Sequence, residues 1–151
     1  MALMESFETV PTPALVVDLQ TVRGNILRMA EYAAEHGLAL RPHTKTHKSE
    51  QMARLQLEAG AVGLTTAKAG EAQTMACVAE DVLVAYPALD RKRPAILARL
   101  AKERTIRVSV DSTLAVDALA EAARRAGSTI GLLVDLDVGH HRTGVQSPAE
   151  A

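Results

Sequence analysis

Short apolar runs alternate along the chain with longer segments whose apolar residues recur at helical spacing. The strand-like runs are residues 14–17, 38–40, 62–66, 81–86, 106–110 and 130–138. The amphipathic segments follow Asp18 and lie around 48–59, 68–79, 90–104 and 112–126. Strands separated by helices of 10–15 residues are typical of βαβ units, so the pattern predicts a parallel sheet.

Residues that start and stop helices stand at the ends of these segments. Aspartate and serine side chains can accept the free N–H groups of a first helical turn, and glycine can adopt the left-handed conformation that ends a helix. The predicted starts are Asp18, Asp90 and Ser112, and the predicted ends are Gly37, Gly60 and Gly127.

Two architectures fit this alternation. An open doubly wound sheet would be complete at 151 residues. A (β/α)8 barrel takes about 250 residues, so the chain would then hold about five of the eight units. No repeat, low-complexity run or linker divides the sequence, and we expect residues 1–151 to belong to one domain.

Composition and charge exclude several classes of function. The 17 basic and 18 acidic residues give a net charge of -1, and aromatic residues make up 2%. Nucleic-acid binding requires a basic surface and often stacking aromatics, so we expect no nucleic-acid partner. No apolar run approaches the roughly 20 residues that span a membrane. The single cysteine, Cys77, forms no internal disulfide, which favours a reducing cytoplasm.

Nucleotide-binding fingerprints are missing from the sequence. Neither G-x-G-x-x-G nor G-x-x-x-x-G-K-[ST] occurs, and the turn after the first predicted strand contains no glycine. Because those glycines let phosphate groups approach the backbone, nicotinamide dehydrogenases and P-loop enzymes are disfavoured.

The densest polar cluster, R-P-H-T-K-T-H-K-S at 41–49, follows an apolar run directly. Parallel α/β folds place their chemistry at the carboxyl ends of strands. Lys45 has Arg41, His43, His47 and Lys48 within four positions. An amine surrounded by cations is favoured in its neutral, nucleophilic form, as Schiff-base chemistry requires. A solvated basic loop is the alternative interpretation.

His43 and His47 have the spacing of two metal ligands on a helix. Pro42 disfavours a helix there, and Thr46 stands where such a motif needs glutamate. We therefore expect no metal site from this pair alone.

A second polar loop follows the last predicted strand. Gly139 and Gly144 would let this loop turn tightly and pass close to a ligand, and Arg142 is suited to an anionic oxygen. Thr65 ends an earlier strand, where its hydroxyl could contact the same ligand. An ordinary βα loop is the alternative interpretation.

Three motifs together resemble a known family. They are T-P-A-L-V-V-D at 12–18, R-P-H-T-K-T-H-K-S at 41–49 and D-V-G-x-x-R-T-G-V at 137–145. The chain resembles the N-terminal part of the D-threonine aldolase and D-serine dehydratase group, which belongs to the alanine-racemase-like, fold-type III pyridoxal-phosphate enzymes. The resemblance implies a partial (β/α)8 barrel, with the C-terminal β domain absent from this chain. It assigns residues 14–18 to that second domain, and we expect a fragment with poor independent stability.

The resemblance also implies roles for individual residues. Lys45 would form the Schiff base with pyridoxal phosphate, and Arg142 would approach the phenolic oxygen of the cofactor. Arg41 and His43 would flank the cofactor, with Thr65 as a further contact. A divalent metal (manganese, magnesium or zinc) would be bound only in a full-length protein, because its ligands come from the C-terminal domain.

The activity implied by the resemblance is a pyridoxal-phosphate-dependent lyase reaction on a small D-amino acid. Aldol cleavage of a β-hydroxy-D-amino acid to glycine and an aldehyde is the first expectation, and a full-length homodimer would carry it out. D-serine dehydratase-type deamination and a non-catalytic pyridoxal-phosphate homeostasis protein are the alternatives. A further hypothesis is a stand-alone five-stranded binding domain without a cofactor. This hypothesis leaves both polar loops unexplained.

Overall fold

The strands follow one another through a single parallel sheet in the order of the sequence. A computed structural model describes residues 9–151, in which the sheet order is β1-β2-β3-β4. The strands are β1 (Leu64–Thr66), β2 (Asp81–Val84), β3 (Thr105–Val110) and β4 (Gly131–Val134). The helices are α1 (Leu19–Glu35), α2 (Glu50–Glu58), α3 (Ala69–Met75), α4 (Lys92–Leu100) and α5 (Thr113–Ala126).

This sequential order decides between the two architectures. A doubly wound sheet reverses its strand order at a switch point, whereas the order here never reverses. Because parallel crossovers are right-handed, sequential winding places every connecting helix on the same face of the sheet. The sheet is therefore a partial barrel of the (β/α)8 type.

Residues 40–44 run beside β1 as a further, irregular strand. The N–H of Val62 donates to the carbonyl of Leu40 at 2.9 Å, and the N–H of Thr65 donates to that of Pro42 at 2.8 Å. His43 pairs with Thr65 in a parallel bridge. The predicted strand at 38–40 is thus displaced towards the polar cluster, and five strand positions precede the second polar loop.

The two faces of the sheet differ in character. Val82, Val84, Ile106, Val108 and Val110 alternate onto one face and are at most 2% exposed. They pack with buried helix residues, among them Met75 of α3, Leu97 of α4 and Leu119 of α5. We call this helix-covered face the outer face and the opposite one the inner face. The core of the described chain lies on the outer face.

The predicted helix signals are largely confirmed. The Asp18 carboxylate accepts the N–H groups of Gln20 and Thr21 at 2.9 and 3.2 Å, and Ser112 caps α5. Gly127 ends α5 with φ +64°. Asp90 accepts from the first turn of α4, although the residue directly before that helix is Arg91. Within residues 9–151, no helix is both long and apolar enough to cross a membrane.

The strand predictions for 14–17 and 130–138 differ most from the structure. Residues 14–17 form no strand, and the side chains of Leu15, Val16 and Val17 are 94%, 63% and 45% exposed. An apolar run forms a strand only when it can hydrogen-bond to a neighbouring strand, and the described chain offers none beside these residues. The run at 130–138 is a strand only as far as Val134, after which the chain turns into the second polar loop.

Candidate active site

The register of the sheet brings distant residues into rows on the inner face. Thr65 pairs with Leu83, Leu83 with Arg107, and Arg107 with Gly131. The bridge of His43 to Thr65 extends this row to the first polar cluster. Arg41 comes two residues before His43, towards the amino ends of the strands, and Lys45 comes two residues after it, at the carboxyl ends. Lys45 therefore lies at the edge where parallel sheets carry chemistry, and His43 lies directly below it.

Lys45 is an exposed lysine in the turn that follows the first strand. Its backbone N–H donates to Nδ1 of His43 at 3.3 Å, and its ammonium makes no ion pair within residues 9–151. Burial of the His43 ring, and then the charge of Lys45, lower the pKa of His43 below its usual range. A neutral His43 that accepts through Nδ1 carries its proton on Nε2, where it can donate a hydrogen bond.

The second lysine of the cluster is held in place. Nζ of Lys48 lies 3.3 Å from Oε1 of Glu71, whose other oxygen accepts the N–H of Ala67 at 2.9 Å. Burial acts to raise the pKa of Glu71, but the bonds from Ala67 and Lys48 outweigh it and lower the pKa. Glu71 therefore fastens the polar cluster to the end of β1 while leaving Lys45 unpaired. Neither this anchoring role of Glu71 nor the pairing of Lys48 was predicted from the sequence.

A cavity of about 620 Å³ opens beside this anchored lysine. Its lining includes Lys48, Lys68, Glu71, Tyr86 and Arg93. It lies where β1 and β2 end, so it borders the same edge of the sheet as Lys45. The cavity gives the edge space for a small molecule beside charged groups.

Arg41 and Thr65 occupy supporting positions below that edge. Nη1 of Arg41 donates to the Asp81 carboxylate at 2.8 Å, and Arg107 pairs with the same carboxylate. A Cβ on Gly63 would lie 2.2 Å from Nη1 of Arg41, so glycine is what makes room for the guanidinium. Thr65 is 8% exposed, and its hydroxyl donates to the carbonyl of Arg41 at 3.4 Å. Both side chains have partners within the protein.

The second polar loop is folded around two aspartates. Oδ1 of Asp137 accepts the N–H groups of Gly139, His140 and His141, each at 2.9 Å. The bonds from His141 and Gly139 lower the pKa of Asp137 despite some desolvation. Asp135 accepts the Thr143 hydroxyl at 2.8 Å. These bonds give the loop a defined shape without any ligand.

Gly144 is required by this loop for the tight turn that the sequence predicts. Its φ is +102°, and a Cβ there would lie 2.5 Å from the backbone nitrogen of Asp137. The glycine therefore allows two parts of the loop backbone to approach each other closely. Gly139, with φ +117°, supplies the other left-handed turn.

Arg142 is exposed in a cleft of about 270 Å³ that Asp111, Asp137 and His141 also line. Its guanidinium makes no ion pair with any residue of the described chain. Lys45 follows the first strand position and Arg142 the fifth, and these positions face each other in a barrel of eight strands. Within residues 9–151, no three His, Cys, Asp or Glu side chains converge to hold a metal ion.

The sequentially wound parallel sheet and the polar loops at its carboxyl edge identify this chain as a domain of the α/β-barrel class. The chain belongs to the family described as alanine racemase, N-terminal domain, whose model matches residues 17–151.

Among curated proteins, the chain is 36% identical over 141 residues to the D-threonine aldolase of an Arthrobacter species, covering 93% of this chain and 37% of that protein. It is 34% identical over 144 residues to the D-threo-3-hydroxyaspartate dehydratase of Delftia sp. strain HT23, covering 95% and 38%. The crystal structure of D-threonine aldolase from Filomicrobium marinum superposes with a TM-score of 0.90 at 36% identity, covering 93% and 38%. The chain thus spans less than two fifths of these relatives.

Proposed function

We propose that this chain supplies the cofactor-binding part of a pyridoxal-phosphate-dependent lyase that acts on β-hydroxy-D-amino acids. The observation that carries the proposal is the unpaired, exposed ammonium of Lys45 at the carboxyl edge of the sheet. The names of the aldolase and dehydratase relatives both specify D-amino acids with a hydroxyl on Cβ. Residues 1–151 would form part of one barrel domain in a longer cytoplasmic homodimer.

The residues at this edge fit such a cofactor. Lys45 would hold it covalently, because its amine has no competing ion pair. His43 offers a neutral ring with a donor at Nε2, and the unpaired guanidinium of Arg142 suits an anionic oxygen. When bound, pyridoxal phosphate supplies an electron sink for the electron pair left at Cα when a bond there breaks.

Arg41 and Thr65 would contribute to the same site from positions nearer the amino ends of the strands. Arg41 is bound to Asp81, and the Thr65 hydroxyl is bound to the Arg41 carbonyl. We therefore assign them to holding the first strand in register, so that His43 and Lys45 reach the edge. Their contribution to cofactor binding would act through the position of that strand.

The reaction we place first is aldol cleavage to glycine and an aldehyde. Dehydration to a keto acid and ammonia is the second candidate, because identity to the dehydratase is 34% against 36% for the aldolase. A divalent metal would assist either reaction by polarising the β-hydroxyl. Its ligands would come from outside this chain.

The lysine assignment is tested by adding pyridoxal phosphate and recording the absorbance spectrum. We expect a visible band that borohydride abolishes, with the reduced cofactor located on Lys45 by peptide mass spectrometry. Lys45→Ala should lose the band. Lys48→Ala is the matched control, because it removes a nearby lysine that is already paired with Glu71, and it should keep the band. A band that survives in Lys45→Ala would refute the assignment.

The reaction type is tested on the longer protein with D-threonine and manganese. Aldol cleavage releases acetaldehyde and glycine, whereas dehydration releases 2-oxobutanoate and ammonia. Product analysis by chromatography separates the two. Formation of the keto acid alone would replace the first candidate by the second, and turnover of neither kind would overturn the proposed function.

A further inference from the structure

His141 and Asp137 form a pair that the assigned roles do not use. Nδ1 of His141 lies 3.0 Å from Oδ2 of Asp137. The Asp137 side chain is 2% exposed and its other oxygen accepts three backbone N–H groups, whereas the His141 side chain is 80% exposed. A fixed carboxylate therefore orients an open imidazole ring.

This contact determines which ring nitrogen carries the proton. The pKa of Asp137 is lowered, so its carboxylate stays ionised near neutral pH and can only accept hydrogen bonds. Nδ1 of His141 must then be the donor. In a neutral ring this leaves Nε2 as an acceptor with no partner among the described residues. His43 has the opposite arrangement, because its Nδ1 accepts from the Lys45 N–H.

The backbone at His141 is also unusual. His141 has φ +53°, a left-handed conformation that is uncommon for a residue with a side chain. The ring shares its cleft with Arg142, at the same edge of the sheet as Lys45. A molecule held by Lys45 and Arg142 would thus lie next to a hydrogen-bond acceptor.

We propose that His141, oriented by Asp137, accepts a hydrogen bond at Nε2 from the β-hydroxyl group of the amino-acid substrate. The inference rests on the proposed function, which it deepens by naming the group that recognises this hydroxyl. An acceptor there favours a β-hydroxy-amino acid over one with a plain alkyl side chain, because the hydroxyl has a proton to donate. Asp137 is a positioning residue that acts through His141.

The first test measures the proton position without any ligand. Long-range ¹H–¹⁵N NMR of the protein should show His141 protonated at Nδ1 and His43 protonated at Nε2. Asp137→Asn should reverse the His141 tautomer, since the amide can donate to Nδ1. Asp135→Asn, which alters only the bond to Thr143, is the control and should leave it unchanged. Protonation of His141 at Nε2 in the unsubstituted protein would overturn the proposal.

The second test compares D-threonine with D-alanine, which lacks the hydroxyl. Binding is followed by the spectral change of the protein loaded with pyridoxal phosphate. Asparagine tolerates the left-handed backbone, so His141→Asn should weaken D-threonine binding about 3–10-fold, the range of one neutral hydrogen bond. It should change D-alanine binding less than twofold. Equal losses for both ligands, or no loss for either, would overturn the proposal.

The two tests also separate this inference from the proposed function. If the unsubstituted protein binds neither D-amino acid, the proposed function fails, and the role of His141 towards a substrate hydroxyl fails with it. The ligand-free NMR result then still shows whether Asp137 sets the tautomer. If both ligands bind and only the His141 comparison fails, the proposed function stands and this inference is wrong.

Discussion

The outer and inner faces of the sheet are built from the same strands but have different chemistry. On the outer face, Val82, Ile106 and Val108 are at most 1% exposed and contact the helices. On the inner face, Asp81, Leu83 and Arg107 alternate with them and remain partly exposed. Period-2 alternation thus divides β2 and β3 into a buried half and a more exposed half.

The difference shows which face stabilises the fold and which face leads to the proposed site. Buried apolar area on the outer face stabilises the fold. The inner face instead carries the ion pairs of Asp81 with Arg41 and Arg107, and the strand that leads to Lys45. Thr65 of β1 departs from this division, because it lies on the inner face but is only 8% exposed, and β4 departs from it in the opposite direction. Leu132, Leu133 and Val134 of β4 are 41%, 40% and 52% exposed, although β4 pairs with β3 along one edge.

The largest loss of stability is expected from removing a buried side chain on the outer face. Ile106→Ala should lower the free energy of unfolding by about 3–4 kcal/mol, because it leaves a cavity among helix and strand side chains. Leu83→Ala removes a side chain of similar size from the inner face, and it should cost less than half as much. Urea denaturation of both variants measures the contrast. Equal losses would show that the inner face is as tightly packed as the outer one.

Much of the fold was predictable because its signals are local. The segments 48–59 and 112–126 contain the observed helices Glu50–Glu58 and Thr113–Ala126, since helical periodicity and capping residues lie within a few positions of each other. Strand order is not local. The choice between an open sheet and a barrel depended on which strands are neighbours, and only the structure, or the family resemblance, decides it.

The candidate site could be predicted from the sequence about as far as the fold could. The position of Lys45 at a strand end follows from the apolar run before it. The partners of the other polar residues do not follow, because they lie far away in sequence. Arg41 meets Asp81 across 40 positions, and Lys48 meets Glu71 across a whole helix and strand, α2 and β1. The orientation of His141 depends on the turn geometry of its own loop, which no spacing rule describes.

A smaller loss of stability is expected from adding a side-chain atom on the inner face at Gly63. A Cβ at Gly63 would lie 2.2 Å from Nη1 of Arg41 and 2.6 Å from the Asp81 carbonyl. Gly63→Ala should therefore cost about 2–3 kcal/mol, because a backbone atom cannot move aside easily. Gly131→Ala is the matched control, since its nearest neighbour is Cγ of the Arg107 side chain at 3.1 Å. It should cost less than about 1 kcal/mol in the same urea titration.

If Gly63→Ala proves neutral, Arg41 does not need the space that the glycine leaves. A loss confined to Gly63→Ala would show that the inner face is packed tightly around this one guanidinium, even though its other positions are open.

The smallest effect concerns the charge on the inner face. Burial alone would raise the pKa of Asp81, but hydrogen bonds and charge from Arg41 and Arg107 outweigh it and hold the pKa below the ordinary 3.8. Asp81→Asn should therefore cost about 1–2 kcal/mol at neutral pH. Because the folded pKa is depressed, the stabilisation is fully present above the unfolded pKa and is lost as pH falls through the folded value.

The stability difference between the unsubstituted protein and Asp81→Asn should accordingly be constant above about pH 5 and shrink below about pH 4. Urea titrations from pH 7 to pH 3 measure it. Adding Arg107→Gln to Asp81→Asn is the control, since removing a cation that has lost its partner should restore part of the loss. A difference that stays constant down to pH 3 would mean that the two arginines do not stabilise the carboxylate. The inner face would then differ from the outer face only in exposure and not in its use of charge.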